Sequence, residues 1–218
     1  MIKACIFDLD GTLLDTISTI TYYVNLTLVG EGVEPITEQE CKIFVGDGAR
    51  LLIRRALASR GITDTDYAER VLRKYSAAYD SDPYHLTRVY PGITETVTEL
   101  RRAGIRLGVL SNKPHSATVQ VIESFFDGEF DFVLGAREGV PLKPEPTAAL
   151  SLAGEMGASP TEVAFIGDTS VDILTAKNMG AALAVGVLWG FRTEDELAAA
   201  GADRVISEPA ELISEVLQ

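Results

Sequence analysis

The sequence predicts an α/β fold in which a doubly wound, mostly parallel sheet carries an inserted helical cap. Three observations predict it. Short apolar runs alternate with helical patterns, the first run leads directly into two carboxylates, and a helical stretch at residues 16–89 separates the first strand from the second. A crossover between parallel strands needs only a few tens of residues, so this stretch must be an insertion.

The first element is a buried strand at Lys3–Phe7 that leads into Asp8 and Asp10. Side chains alternate along an extended chain, so both carboxylates point to the same side, at the strand end where open α/β sheets bind ligands. Two acids aimed at one point can bind a divalent cation and share nucleophilic and proton-transfer work. Asp, Gly and Thr are also ordinary turn residues, and this segment alone leaves both interpretations open.

The insertion follows these acids, and its apolar periodicity is helical. The predicted helices are Ile17–Val29, Glu38–Val45, Ala49–Ser59 and Asp66–Ala78. A helical bundle placed directly after the two acids would cover them, and such caps exclude water and select substrates. We therefore predict a cap domain at residues 16–89 and a core domain at residues 1–15 and 90–218.

The rest of the chain alternates strands and helices, which predicts a parallel sheet with helices on both faces, a Rossmann-like core. The predicted strands are Arg106–Leu110, Phe130–Leu134, Val163–Ile166, Ala182–Val187 and Arg204–Ile206. The predicted helices are Ile93–Ala103, Ser116–Phe125, Thr147–Met156, Val171–Met179, Glu194–Ala200 and Pro209–Leu217.

Polar residues follow the next two strands of this core. Ser111 and Asn112 come after the second strand and can donate hydrogen bonds to phosphoryl oxygens, although both residue types also cap helices. Lys143 stands between prolines after the third strand. A rigid backbone there suits an ammonium held on a transferring phosphate or on Asp8, whereas a lysine without such neighbours is a solvated surface residue.

Two more acids follow the fourth strand, at Asp168 and Asp172. Asp168 can complete the oxygen shell of a hard cation together with Asp8. The alternative is local: Asp168, Thr169 or Ser170 can cap the next helix, and Asp172 can complement the dipole of its first turn.

Composition limits the partners. The formal net charge of -13 argues against nucleic-acid or anionic-membrane binding, because both are bound through clusters of Lys and Arg. An anionic substrate then needs local cations or a metal.

Two cysteines, Cys5 and Cys41, do not indicate a disulfide framework. The chain shows neither a secretory signal nor a bilayer-spanning segment, so we expect a cytoplasmic protein.

In this order along the chain, the four motifs resemble the haloacid dehalogenase superfamily of phosphotransferases. The matching segments are Asp8–Thr12, Ser111–Asn112, Lys143–Pro144 and Gly167–Asp172. The resemblance covers essentially the whole chain, since one branch of that family carries a helical cap between its first and second motifs.

The resemblance implies a role for each motif. Asp8 is the expected nucleophile, which becomes a phosphoaspartate, and Asp10 is the expected acid and then base. Mg²⁺ would be bound by the Asp8 carboxylate, the Asp10 backbone carbonyl and Asp168, with Asp172 behind them. The expected phosphoryl clamp consists of Thr12, Ser111, Asn112 and Lys143. An aspartate at position 10 favours ester hydrolysis or phosphomutase chemistry over dehalogenation.

The expected substrate is a small phosphorylated metabolite, because Phe44–Arg50, Ser111–Pro114 and Lys143–Pro146 resemble phosphoglycolate phosphatases. Arg50 is expected to meet a substrate carboxylate, but it can equally be an exposed helix residue. The turn at residues 136–137 departs from many relatives. A sugar phosphomutase, a pyrophosphatase and a binding protein without activity stay open as alternatives, and so does the oligomeric state.

Overall fold

In the part of the chain that the computed structural model describes, residues 1–217, the strands form two sheets. The strands are β1 (Ala4–Phe7), β2 (Leu14–Asp15), β3 (Arg88–Val89), β4 (Arg106–Pro114), β5 (Phe132–Ala136), β6 (Val163–Gly167), β7 (Leu183–Val187) and β8 (Arg204–Ile206). The helices are α1 (Ile17–Gly30), α2 (Glu38–Phe44), α3 (Ala49–Ala58), α4 (Thr65–Ser81), α5 (Ile93–Arg102), α6 (His115–Phe125), α7 (Thr147–Glu155), α8 (Ser170–Met179), α9 (Glu194–Ala199) and α10 (Glu211–Val216).

The larger sheet has six strands in the order β5-β4-β1-β6-β7-β8, each parallel to its neighbours. The predicted α/β doubly wound class is confirmed. The chain passes from β1 to β4 and β5 on one side, then returns to β6, β7 and β8 on the other. The strand order therefore reverses beside β1, and open α/β sheets bind ligands at such a reversal.

Both faces of β1 are buried, which explains its continuous apolar sequence. Cys5 and Phe7 belong to the apolar cluster on one face, whereas Ala4 and Ile6 belong to the cluster on the other. Helices α5, α6 and α10 supply apolar residues to the first cluster, and α7, α8 and α9 supply them to the second. The two layers of helices hold β1, and with it the residues that follow it, in a fixed place.

The cap helices α1–α4 pack around an apolar cluster of their own, to which α6 adds Ala117. Val24, Leu28, Ile53 and Val71 are fully buried within it. Such separate packing supports the predicted division into domains at residues 15/16 and 89/90, which stays a prediction.

A short antiparallel pair, β2 and β3, joins the two segments that connect cap and core. Leu14 pairs with Val89 and Asp15 pairs with Arg88. The sequence analysis missed this pair, because two-residue strands are too short to show alternation. The pair holds the entry and exit of the cap side by side.

Two core strands, β4 and β5, differ from the predicted bounds by more than one residue. β4 continues past Leu110 to Pro114, with an irregular register against β5 over that stretch, so the polar residues expected after the strand lie in its final part. β5 begins at Phe132 rather than at Phe130. The Phe130 ring instead packs edge-on against Phe7, with the ring centroids 6.0 Å apart. Phe130 therefore belongs to the segment before β5, where its ring packs against β1.

Among residues 1–217, no helix combines the length and the apolar character that crossing a bilayer requires.

Candidate active site

The polar ends of neighbouring strands meet at one edge of the large sheet. Within β1, Ile6 pairs with Gly108 of β4 and with Phe165 of β6. Because the three strands are parallel, their carboxyl ends share one edge, where Asp8 and Asp10 lie. Residues from the ends of β4 and β6 therefore reach the same point as the two acids.

Lys143 reaches this point from the loop after β5 and is buried between two carboxylates. Its ammonium donates to Oδ1 of Asp172 at 2.6 Å and lies 2.7 Å from Oδ1 of Asp8. Burial disfavours the ammonium, but Asp172 and Asp8 outweigh that effect and raise the pKa of Lys143. Lys143 is therefore charged at neutral pH, and it is not a solvated surface lysine.

The carboxyl of Asp8 is also buried. Burial and the neighbouring Asp172 raise its pKa to about 7, although Lys143 opposes the shift. The backbone N–H of Asp8 donates to the carbonyl of Ile166 at 2.9 Å, which ties the residue to β6. The site thus holds Asp8 by its backbone and by Lys143.

Asp168 lies behind Asp8 with no exposed surface. Its burial, together with the nearby Asp172 and Asp8, raises its pKa well above the ordinary value. Oδ1 accepts a hydrogen bond from the Thr12 hydroxyl at 3.1 Å, and Oδ2 accepts one from the Phe191 N–H at 2.8 Å. These contacts orient the carboxylate towards Asp8.

Three carboxylates, those of Asp8, Asp168 and Asp172, offer oxygen atoms within 4.8 Å of one another. Asp172 accepts three hydrogen bonds, from the Lys143 ammonium and from the N–H and hydroxyl of Thr169. Asp168 accepts two, and Asp8 contacts Lys143 through Oδ1 alone, so these two carboxylates keep more lone pairs free for a cation. Carboxylate oxygens this close together fit a hard divalent cation, whose charge would offset the repulsion between the carboxylates.

Gly11 makes room for this cluster. A Cβ atom at Gly11 would lie 2.3 Å from Oδ2 of Asp168, and the backbone φ there is 92°. Both the contact and the left-handed backbone exclude a side chain. The glycine after Asp10 therefore serves the carboxylate that follows β6.

Thr12 has a protein partner, and its expected role on phosphate stays a prediction. Its side chain is fully buried and its hydroxyl donates to Asp168, where the sequence predicted a contact with phosphate. A hydroxyl has one hydrogen to donate, so the bond to Asp168 uses it. Thr12 orients a carboxylate and does not face the cavity.

Asn112 lines the cavity but is also bonded to protein groups, and its expected role on phosphate stays a prediction. Its Nδ2 donates to the carbonyl oxygens of Gly46 and Lys143, at 3.0 and 3.1 Å, and its Oδ1 accepts from the Lys143 N–H at 2.8 Å. Both amide hydrogens are used in these contacts. The side chain therefore fixes the Lys143 loop and the cap loop, where the sequence predicted a bond to phosphate.

Ser111 faces the same cavity as Asp8. Its Oγ accepts a hydrogen bond from the Lys113 N–H at 3.2 Å. The hydroxyl hydrogen can still donate to a ligand. Its phosphate-binding role stays a prediction.

A cavity separates these core residues from the cap. Its volume is about 70 Å³. The cap contributes apolar and aromatic side chains, among them Leu52, Tyr75 and Tyr79, and Asp80 also lines it. Apolar cap residues that cover charged core residues keep water away from reacting groups.

Lys113 is a site residue that the sequence analysis did not assign. Its ammonium donates to Oδ1 and Oδ2 of Asp10 at 3.0 and 3.2 Å, and to the Tyr79 hydroxyl at 2.5 Å. The side chain is 5% exposed. The sequence carried no clear signal for it, because the burial of Lys113 appears only where β4 continues past Leu110. A buried ammonium then needs a partner, because an isolated one is costly.

Arg50 does not reach the cavity. It lies at the start of α3, its side chain is 62% exposed, and it pairs with Glu69 of α4. The expected contact with a substrate carboxylate is therefore not part of this structure. The first turn of α3 directs the side chain towards the neighbouring cap helix, which leaves the simpler interpretation, an exposed helix residue.

The loop after β7 packs against the core and also reaches the cavity. The indole N–H of Trp189 donates to the carbonyl of Thr12 at 2.9 Å. Phe191 follows, and its side chain lines the cavity. The sequence analysis assigned no role to Phe191, because a single aromatic residue in a loop carries no distinctive pattern.

The geometry can be compared with known proteins. A family model described as haloacid dehalogenase-like hydrolase matches residues 5–185. The chain belongs to the haloacid dehalogenase-like hydrolases. Phosphoglycolate phosphatase 1 from Pseudomonas aeruginosa is 33% identical over 202 residues, which cover 89% of this chain and 74% of that protein. The phosphoglycolate phosphatase from Vibrio vulnificus is 32% identical over 221 residues, which cover 99% and 96%.

A solved structure of similar shape supports the same family. The crystal structure of a candidate phosphoglycolate phosphatase from Lactobacillus delbrueckii subsp. bulgaricus has a TM-score of 0.92 and 30% identity, and the match covers 98% of both chains. The predicted family and enzyme class, a haloacid dehalogenase-like phosphatase, are confirmed.

In this haloacid dehalogenase-like hydrolase, the predicted site residues fall into three groups. Those that line the cavity with their neighbours are Asp8, Asp10, Ser111, Asn112 and Lys143. Two acids, Asp168 and Asp172, lie against Asp8. Thr12 bonds to Asp168, and Arg50 lies on the outside of the cap. The Asp10 carboxylate turns to Lys113, consistent with the expectation that only its backbone carbonyl would bind metal.

Proposed function

We propose that this phosphatase hydrolyses a small phosphate monoester, phosphoglycolate or a close analogue, through a phosphoaspartate formed on Asp8. The observation that carries the proposal is the buried Asp8 carboxylate, which lines the cavity and lies 2.7 Å from the Lys143 ammonium. A nucleophile, a fixed cation and a second carboxylate, that of Asp10, line the same cavity.

Asp8 attacks phosphorus, and the leaving alkoxide departs on the opposite side. Lys143 keeps one oxygen of Asp8 in a fixed position, which orients the other oxygen towards the substrate. The ammonium also lies close enough to share the negative charge that grows on the phosphoryl oxygens. Ser111 supplies a hydroxyl donor on the side of β4.

Asp10 gives a proton to the leaving oxygen and later removes one from the water that attacks the acyl phosphate. Its carboxylate lines the cavity two residues beyond Asp8. Lys113 holds it there through both oxygens. The same carboxyl group can thus serve both halves of the reaction.

Mg²⁺ is the proposed cofactor, bound by the carboxylates of Asp8 and Asp168 and by the Asp10 backbone carbonyl. When bound, it supplies positive charge that offsets the crowded carboxylates and stabilises negative charge on the phosphoryl group. Asp172 supports the site indirectly, because it orients Lys143 and the first turn of α8.

The small cavity supports a small substrate. A volume of about 70 Å³ suits a phosphate ester of a few carbon atoms better than a nucleotide. Two relatives that cover most of this chain are phosphoglycolate phosphatases by name. Together these observations favour phosphoglycolate among the small esters.

The test is release of inorganic phosphate from phosphoglycolate, ethyl phosphate, pyrophosphate, sugar phosphates and nucleotides, with Mg²⁺ present. We expect the highest kcat/KM for phosphoglycolate. In Asp8→Asn we expect the rate to fall by about 10⁴-fold or more with an unchanged circular dichroism spectrum, because a carboxamide cannot form the phosphoaspartate. Full turnover by Asp8→Asn would reject the nucleophile.

The same panel separates the rival activities. A mutase converts one sugar phosphate into another without net phosphate release, and a pyrophosphatase prefers pyrophosphate. A binding protein without activity releases phosphate from none of these compounds. Each of these results would replace the proposal.

A further inference from the structure

Lys113 is a buried cation to which the proposed phosphoryl chemistry gives no direct contact with substrate. Two cations line the cavity within residues 1–217, Lys143 and Lys113. Lys143 is bound by two carboxylates, those of Asp8 and Asp172. Lys113 has one carboxylate partner, Asp10, and one neutral partner, the Tyr79 hydroxyl. It is therefore the less neutralised of the two ammonium groups.

The Lys113 ammonium can accept another anionic partner. It carries three N–H donors. Its distances to the two Asp10 oxygens, 3.0 and 3.2 Å, are similar enough for one N–H to serve both. A second N–H reaches the Tyr79 hydroxyl. The third can then point to a ligand in the cavity that Lys113 lines.

Lys113 also lies at a suitable distance from the phosphoryl site. Ser111 and Lys113 both line the cavity, two residues apart in β4. Two residues of extended chain span about 6.5 Å between Cα atoms. A substrate whose phosphoryl group meets Ser111 can place a second group, a few bonds away, near the Lys113 ammonium.

We propose that Lys113, supported by Tyr79 of the cap, recognises a second anionic group of the substrate, a carboxylate. The inference rests on the proposed phosphatase function and specifies its substrate class. Arg50, the residue from which sequence predicted this recognition, lies outside the cavity. Asp80 also lines the cavity and interacts with Lys113: burial raises the pKa of Asp80 on balance, although Lys113 lowers it. The residue is exposed, so solvent weakens its repulsion of a carboxylate.

Tyr79 makes this recognition depend on the cap. Its hydroxyl lies 2.5 Å from the Lys113 ammonium, which also stands 4.4 Å from the centre of its ring. The ring comes from α4, whereas Lys113 comes from β4 of the core. The carboxylate pocket is therefore complete only when α4 is packed over the core as it is here.

The first experiment compares kcat/KM for phosphoglycolate and ethyl phosphate, which differ by a carboxylate. In Lys113→Met, we expect the ratio of the two values to fall by about 10- to 100-fold, the range for loss of a hydrogen bond to a charged group. Tyr79→Phe should lower the ratio by a smaller factor. An unchanged ratio in Lys113→Met would overturn the proposal.

Binding provides a readout that does not require turnover. Phosphonoacetate carries a carboxylate, and ethylphosphonate lacks one. By calorimetry with Mg²⁺ present, we expect the wild type to bind phosphonoacetate more tightly and Lys113→Met to lose most of that difference. A difference that persists in Lys113→Met would reject Lys113 as the recognition group, even if the variant had lost all activity.

Two controls separate the possible failures. Lys74→Met is the control variant: it removes an exposed lysine of α4, the helix that carries Tyr79, and this lysine pairs with Glu31. We expect it to leave the kcat/KM ratio and the difference in binding unchanged. If the wild type released phosphate from none of the compounds, the proposed function would fail. If the wild type were active and Lys113→Met lost both substrates equally, only the present inference would fail.

Discussion

The two sides of the cavity place their charges differently. On the core side, Asp8, Lys143 and Asp172 form a buried ionic network with side chains at most 11% exposed. On the cap side, the surface that faces the cavity is largely apolar and aromatic, and ion pairs such as Arg50–Glu69 lie on the outer surface. A buried charge needs a fixed partner, whereas an exposed pair is screened by water. The core side therefore carries the charged groups that can react, and the cap side covers them.

This difference predicts that changes on the core side have large effects and changes on the outer cap have small ones. After loss of the Asp8 nucleophile itself, the largest effect is expected for metal removal. EDTA should lower phosphate release by about 10³-fold, a loss of several kcal/mol of charge stabilisation, and added Mg²⁺ should restore it. Undiminished rates without divalent ions would contradict the metal site.

A thermal-shift measurement tests the same metal site without activity. Mg²⁺ should raise the Tm of the wild type, because it offsets repulsion among Asp8, Asp168 and Asp172. Asp168→Asn should abolish most of this increase. An equal increase in that variant would remove Asp168 from the proposed ligands.

The next largest effect is expected for Lys143→Met. Loss of the ammonium leaves Asp8 and Asp172 buried without their partner, which should lower the free energy of unfolding by about 3–5 kcal/mol. Urea denaturation without Mg²⁺ measures it. The matched control is Lys177→Met, whose pair with Asp203 is 39% and 38% exposed, and it should cost less than about 1 kcal/mol. Similar losses in the two variants would break the comparison between buried and exposed pairs.

A smaller effect is expected for Asn112→Ala, which removes the link between the cap loop and the Lys143 loop. The buried groups that lose a partner should cost about 1–3 kcal/mol of unfolding free energy. Asn178→Ala is the control, because its Nδ2 donates to the carbonyl of Pro144 at the exposed side of the same loop. If both variants lost equal stability, burial would not explain the role of Asn112.

The smallest effect is expected for Arg50→Ala. Because this side chain is exposed and bound to Glu69, the ratio of kcat/KM for phosphoglycolate and ethyl phosphate should change by less than about twofold. A large fall in the ratio would show that Arg50 enters the cavity during turnover. It would also restore the recognition role that the sequence predicted.

Sequence patterns predicted the structure correctly where a run of residues fits only one kind of secondary structure. The apolar run before Asp8 predicted β1, and the alternation of strands and helices predicted the parallel sheet. They served less well for side chains that have several possible partners. Thr12 and Asn112 were expected on phosphate, yet both bond to protein groups, because a hydroxyl or a carboxamide can donate to any nearby oxygen.

Lys113 shows the limit most clearly. Its position next to Asn112 was visible in the sequence, but its partners Asp10 and Tyr79 are distant along the chain. No local pattern indicates which of several acids and tyrosines will meet a given lysine. Packing of α4 over the end of β4 decided it.

By itself, the sequence determined the class of fold, the insertion of helices after the first strand and the order of the four polar motifs that follow strands, because periodicity and order along the chain encode these directly. Only the tertiary structure decided that Lys143 lies between Asp8 and Asp172, that Lys113 joins the core to Tyr79, and that Arg50 stays outside. Such contacts depend on how distant segments pack, and packing depends on shape and on burial of charge across the whole molecule.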